Sequence, residues 1–220
     1  MTNPSLNKYI QMGDDHASSA ADTPLRPDAF HMSNEEKISR IEKNFREIMQ
    51  TLGLDLEDDS LSGTPYRVAK MYVEEIYSGL DPVNAPKIAL FENKYKYDQM
   101  LVEKDITLFS NCEHHFVPIV GKVHVAYISN GFVIGLSKIH RIVRHFARRP
   151  QVQERLTIQI ADYLSQVLMT DHVAVVIDAS HLCVSSRGIE DHTSNTLTSV
   201  YRGKFQEEKR KDEFLKYLSL

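Results

Sequence analysis

From about Val102 the chain changes its repeat. Upstream, apolar residues recur every three or four positions; from here on ITLFS, FVPIVGKVHVAYI and FVIGL are dense in β-branched and aromatic residues. Such segments fit the pleated, half-buried surface of a sheet. Two helical stretches follow. The first, about 138–146, carries Ile139, Ile142, Val143 and Phe146 on one side; the second, about 152–168, carries Leu156, Ile160, Tyr163 and Val167. VAVVIDA, HLCVSS and TSNTLTSVY then return to strand, and the spacing from Phe214 to Leu218 predicts a last helix. Helices, strands, two helices and strands again predict an α+β domain with a mainly antiparallel sheet.

The upstream helices have clear ends. Ser33 and Glu36 fit a capping box, Ile38, Ile41, Phe45, Ile48 and Leu52 make the stripe, and Gly53 is placed to stop it. A second helix is expected from Thr64 as N-cap, with Pro65 in its first position, through Val68, Met71, Tyr72 and Ile76 to Ser78-Gly79. Residues up to about Pro27 are rich in Ser, Ala, Asp and Pro without a sustained period and read as loosely structured. The expected organisation is a flexible segment over 1–30, a helical region over 31–95 and the sheet-bearing domain over 96–220.

No apolar run approaches the roughly 18 residues that a membrane span needs. The N-terminus lacks a basic start followed by an apolar block, so a cytoplasmic protein with no membrane partner is expected. Two cysteines are too few for a secreted disulfide framework, and a net charge of −4 argues against a chain that binds polyanions over its whole surface.

Those two cysteines stand in company. NCEHHF sets Cys112 three residues before His115, with His114 between, and HLC sets His181 two residues before Cys183. Adjacent side chains diverge on either a strand or a helix, so one ion does not easily take both His114 and His115. A turn can fold Cys112 and His115 around one ion, and Cys183 would add a second thiolate. Two thiolates and an imidazole favour zinc, and three protein ligands leave a fourth position for water, the mark of a catalytic site. His114 is then the histidine left for proton transfer, with His181 its counterpart across the metal. Bland readings compete: C-x-x-H alone is a weak pattern, free cysteines are often core residues, the pair can form a disulfide, and His181 as fourth ligand would close the site as a structural one.

A second cluster is basic. Between Ser129 and Gln153 lie Lys138, Arg141, Arg144, Arg148 and Arg149 with no acidic residue. With Ser137 expected as N-cap, Lys138 and Arg141 share a face near a helix N-terminus, which is a phosphate site in outline. A solvated basic face and a nucleic-acid recognition helix are the alternatives; the confinement of the charge to one short segment speaks against the latter. The third feature is Gln153-Glu154, opening the next helix. A carboxylate there complements the helix dipole, and it can also accept from the paired N–H groups of a guanine edge.

These segments carry a resemblance. CEHHF, GLSKIHRIV, RPQVQERLT, HLCVSSRGI and TPYRVAKMY closely resemble the GTP cyclohydrolase I family, over roughly Thr23 to the C-terminus. The resemblance implies a tunnelling fold (T-fold): an antiparallel sheet with two helices on one face after a helical N-terminal region. It implies a homodecamer of two stacked five-membered rings with active sites at subunit interfaces. The implied reaction converts GTP and water to 7,8-dihydroneopterin triphosphate and formate, the entry to folate and pterin cofactors. Carried over by position, Cys112, His115 and Cys183 resemble the Zn2+ ligands, and His114 and His181 the acid–base histidines. Glu154 resembles the guanine-holding carboxylate, with Gln153 beside it. Ser137, Lys138, Arg141 and Arg187 resemble the triphosphate contacts, and Arg67 an arginine supplied by a neighbouring subunit. Ser185, Ser186 and Glu190 depart from the family pattern around Arg187 without removing a site residue. The alternatives kept from the residues themselves are another purine- or pterin-binding T-fold enzyme and a non-catalytic zinc module on nucleic acid.

Overall fold

In the computed structural model, which describes residues 20–219, the molecule is built on a five-stranded sheet. The expected loose N-terminal segment lies mostly outside the described residues. Helix α1 (Asn34–Thr51) begins at the capping box of Ser33 and Glu36, both hydrogen bonds of which are made. A single turn, α2 (Asp59–Ser62), precedes α3 (Thr64–Met71). The N-cap of α3 is Gly63 rather than Thr64, and past Met71 the helix widens into a π-helical turn over Tyr72–Ile76.

Strands β1 (Leu90–Glu92), β2 (Met100–Cys112), β3 (Pro118–Ile128) and β4 (Phe132–Ile134) follow, then α4 (Leu136–Ala147), β5 (Pro150–Gln151) and α5 (Gln153–Leu168). The chain ends in β6 (Val173–His181), α6 (Leu182–Ser185), β7 (Thr196–Tyr201) and α7 (Glu208–Leu218). The main sheet runs β5-β2-β3-β6-β7 and is antiparallel except for the short β5–β2 pair; β1 and β4 form a separate antiparallel ribbon. A bulge at Glu103/Ile106 bends β2, with Asp105 at φ 60°.

Helices α4 and α5 lie on one face. Their apolar stripes (Ile139, Ile142, Val143; Leu156, Ile160, Leu164) close on Leu108, Val123, Val125, Val175 and Ile177, all essentially inaccessible to solvent. Burial of this kind contributes about 25 cal/mol per Å² of apolar surface and fixes the register of every strand it covers. On the other face Phe205 and Phe214 pack on Met100, Ala126, Ala174 and Val176.

Two local expectations are corrected. Helix α4 starts one residue after Gly135, its N-cap, so Ser137 is the second helical residue and makes no capping bond. HLCVSS is not a strand throughout: β6 ends at His181 and Cys183 rides on α6. Within that turn Ser185 Oγ donates to His181 O and Ser186 Oγ to Leu182 O, local bonds that take the place of sheet-ladder partners.

Candidate active site

Register alone brings the two halves of the cysteine–histidine cluster together. Strand β3 pairs with both neighbours at one end: Asn111 opposite Pro118, and Ile119 opposite His181. Cys112, the last residue of β2, and His181, the last of β6, therefore flank the start of β3. Beyond Cys112 the chain turns tightly. Cys112 N donates to Val117 O and Phe116 N to Cys112 O, with Phe116 in the left-handed region at φ 57°. This turn carries Glu113, His114 and His115, while α6 carries Cys183 back over the same edge.

The donor atoms of Cys112, His115 and Cys183 all lie within 4.8 Å of one another. A tetrahedral ion with metal–sulfur bonds of about 2.3 Å holds its sulfurs about 3.8 Å apart, so the three fit one ion with small adjustments. Both cysteines are free, Cys112 buried and Cys183 half-buried. Burial, and then the neighbouring Cys112 thiol, push the Cys183 thiol up, which is the situation a soft cation relieves. His114 is turned away from His115: the rings are 6.5 Å apart and 79° from coplanar. His114 Nδ1 stays 3.7 Å from Cys112 Sγ, at the rim of the cluster. Arg187 donates a 2.9 Å hydrogen bond to His115 Nε2, which brings this arginine to the metal end of the sheet.

His181 is held from behind. Its Nε2 is 2.7 Å from Gln153 Oε1. The Gln153 amide nitrogen meets only acceptors, Thr196 O at 2.8 Å, Thr198 Oγ1 at 3.1 Å and Ile177 O at 3.2 Å, so its oxygen must face the histidine. His181 then carries its proton on Nε2 when neutral and leaves the Nδ1 lone pair open. Burial pushes its pKa down, favouring that neutral form, against the raising pull of Glu154. Gln153, expected beside the guanine-holding Glu154, is thus bonded to His181 within the chain. It is 1% exposed, because as the first residue of α5 it faces the sheet, and its amide is committed to protein partners. Glu154, one residue on, is exposed at the same helix end.

Behind the turn lies a brace that the sequence reading passed over. Arg155, 4% exposed, pairs through Nη2 with Glu113 and donates to Pro150 O (3.0 Å) and, through Nε, to Gln151 Oε1 (2.9 Å). Glu113 N donates to Gln151 O. The signal was present: Glu113 sits inside CEHHF and Arg155 inside RPQVQERLT, two opposite charges in the two segments that converge here.

The phosphate candidates sit elsewhere. Ser110 Oγ donates to Ala147 O (2.7 Å), so the C-terminal end of α4 lies by the Cys112 end of β2. Ser137 is ten residues back along that helix, roughly 15 Å at 1.5 Å per residue. Ser137 and Arg141 are exposed, and Lys138 donates to Lys87 O (2.9 Å). Arg67, on α3, bonds Thr64 Oγ1 (2.8 Å) and Ser60 O (3.3 Å). One chain thus assembles Cys112, His114, His115, Glu154, His181, Cys183 and Arg187 at one end of the sheet and leaves Ser137 and Lys138 at the other.

The family model for GTP cyclohydrolase I matches residues 41–219. The chain belongs to the GTP cyclohydrolase I family. The GTP cyclohydrolase 1 of Flavobacterium johnsoniae is 59% identical to it over 210 residues, 96% of this chain and 94% of the relative. The enzymes of that name from Salmonella gallinarum and Escherichia coli K12 are 54% identical over 215 residues, 97% of either chain. GTP cyclohydrolase I membership carries the T-fold with it, and the antiparallel sheet with α4 and α5 on one face fits that architecture. Among the described residues no helix is long and apolar enough to cross a membrane.

Proposed function

We propose that this chain is a zinc-dependent GTP cyclohydrolase I that opens the imidazole ring of GTP to give 7,8-dihydroneopterin triphosphate and formate. The observation that carries it is the convergence of Cys112, His115 and Cys183, with His114, His181 and Glu154 around them, in a chain of this family. A Zn2+ held by the two thiolates and His115 would supply Lewis acidity that activates water near neutral pH.

The remaining roles follow from the side chains. Glu154, exposed at the start of α5, accepts from the N1–H and 2-amino groups of guanine and holds the base by its edge. His181, neutral with its Nδ1 lone pair open, takes the proton of the water that adds to C8 and delivers it to N7 as the C8–N bond breaks. Gln153 keeps that ring in one tautomer and acts as a positioning residue. His114 serves the later proton transfers of ribose opening and reclosure. Arg187, whose guanidinium meets His115 Nε2, can exchange that bond for a stronger one to phosphate.

Ser137 and Lys138 lie at the far end of α4 from Cys183 of the same chain, with Arg141 between; active sites at subunit interfaces, as the family resemblance implies, would take these residues, and Arg67, from a neighbouring copy. Assembly into a homodecamer follows the family resemblance. Two unpaired thiols serving a metal suit a reducing compartment, and the cytoplasm is the proposed location. The test is release of formate from GTP, with pterin fluorescence after oxidation of the product. Formate and fluorescence in equal amounts support the assignment, and GTP left intact by zinc-loaded protein refutes it.

A further inference from the structure

The basic face of α4 continues well past the residues assigned to the substrate. Ser137, Arg141, Arg144 and Arg148 are spaced by four, three and four residues, which aligns them in one stripe along the helix. Ser137, His140, Arg141 and Arg144 line an open depression of about 440 Å³. A separate cavity of about 240 Å³ adjoins it through Arg141 and Arg144 and is closed by Arg148, His145, Ser78, Gly79, Asn84 and Pro86. No carboxylate lines either space.

The wall opposite the arginines is fixed. Gly79 N donates to Arg148 O (2.9 Å), Arg149 Nε donates to Gly79 O (2.8 Å), and Arg148 Nη1 bonds Glu75 O. A Cβ on Gly79 would stand 2.0 Å from His145 O, so the loop is pressed against the helix as only glycine allows. Asn84 is anchored by donating to Ser78 O (2.9 Å). Among the described residues, the side chains of Arg141 and Arg144 have neither a hydrogen bond nor an ion pair, although Arg144 O accepts from Arg148 N. Arg148 feels the like charge of Arg144 more strongly than the Glu75 carboxylate, and burial together with Arg144 draws its pKa down. Three guanidiniums on one stripe, with the repulsion between Arg144 and Arg148 only partly offset by Glu75 and a rigid polar wall opposite, form an arrangement that an anion would stabilise.

We propose that Arg141, Arg144 and Arg148, facing Ser78 and Asn84, form a second oxyanion site for a phosphate-class ligand. Its ligand is a free phosphate or pyrophosphate, or the polyphosphate tail of a nucleotide. Because Arg141 borders both spaces, occupancy of this site is coupled to the triphosphate site. That coupling rests on the cyclohydrolase reading; the anion site itself does not.

The test is calorimetric titration of the full-length, zinc-loaded protein with inorganic pyrophosphate, and separately with guanosine 5′-[β,γ-imido]triphosphate. Loss of one charge-assisted bond predicts that Arg144→Gln weakens pyrophosphate binding on the order of tenfold or more, and that the site it affects still takes up pyrophosphate in Lys138→Gln. Weakening of pyrophosphate alone assigns the site to a free anion; weakening of both ligands assigns it to the nucleotide tail. Wild-type protein that binds no pyrophosphate, an Arg144→Gln variant that binds like wild type, or binding abolished by Lys138→Gln alone overturns the proposal. Formate release is measured on the same samples, so a failed cyclohydrolase reading is told apart from a failed anion site.

Discussion

Gln153 accepts a hydrogen bond of 2.7 Å from Nε2 of His181, while its own amide nitrogen is tied to β6 and β7. One buried side chain thereby fixes the tautomer of a histidine at the metal edge. Replacing it with methionine of similar length removes the acceptor and the donor to Thr196 O, a loss of roughly 0.5–1.5 kcal/mol in stability per bond. Gln153→Met is expected to keep its zinc and its KM for GTP and to lose on the order of tenfold or more in kcat. A fall in KM-limited turnover with kcat intact would mean that Gln153 touches substrate instead.

The neighbouring histidines predict opposite outcomes. His114→Ala retains zinc and loses most turnover, because its ring contacts Cys112 Sγ from the rim and is not one of the three converging donors. His115→Ala loses the metal and the turnover together. Metal analysis of the two purified variants checks this, and zinc loss from His114→Ala alone would exchange their roles.

The pairing of Arg155 with Glu113 braces the turn that bears both histidines. Glu113→Gln leaves the guanidinium of a 4% exposed arginine without its counter-charge. Breaking a buried pair in this way costs about 3–5 kcal/mol, less where other acceptors remain, as Pro150 O and Gln151 Oε1 do here. The expected result is lower stability in urea and zinc affinity reduced about 10–100-fold, the usual effect of loosening what orients a ligand. Unchanged zinc affinity would reduce the brace to a purely structural role.

The stripes of α4 and α5 and the strand pattern were legible because burial acts on each turn or pleat: Ile139, Ile142 and Leu156, Ile160 all face the sheet as their spacing predicts, whereas Ile48 (52% exposed) and Leu52 (72% exposed) of the expected α1 stripe do not enter a core in this chain. The metal trio was legible because soft ligands at short spacing have few other uses. What escaped was set by tertiary neighbours. That Gln153 commits its amide to β6, β7 and His181 shows only when those strands are placed under it. Cys183 left its strand for a short turn whose Ser185 and Ser186 hydroxyls bond carbonyls four residues back. The distance between Lys138 and Cys183 emerged only once Ser110 had fixed which end of α4 meets the metal edge.

Acid stability should report His145. This 8% exposed ring accepts a hydrogen bond from Arg149, and burial followed by the Arg149 charge pushes its pKa down to about 4. An unfolded chain protonates this histidine near pH 6.5 and the folded one does not, so the contribution is whole above that pH and declines as pH falls toward 4. The loss is on the order of 2–3 kcal/mol. Urea unfolding between pH 7 and pH 4.5 is expected to show it, and His145→Asn should flatten the slope. An equal slope in the variant would place the acid sensitivity elsewhere.

The central claim is that Cys112, His115 and Cys183 share one zinc ion, and X-ray absorption at the zinc edge of the purified protein tests it most directly. The account predicts one zinc per chain, with two sulfurs at about 2.3 Å, one imidazole nitrogen and one further light atom. A shell without sulfur, or one closed by a second histidine, would contradict it.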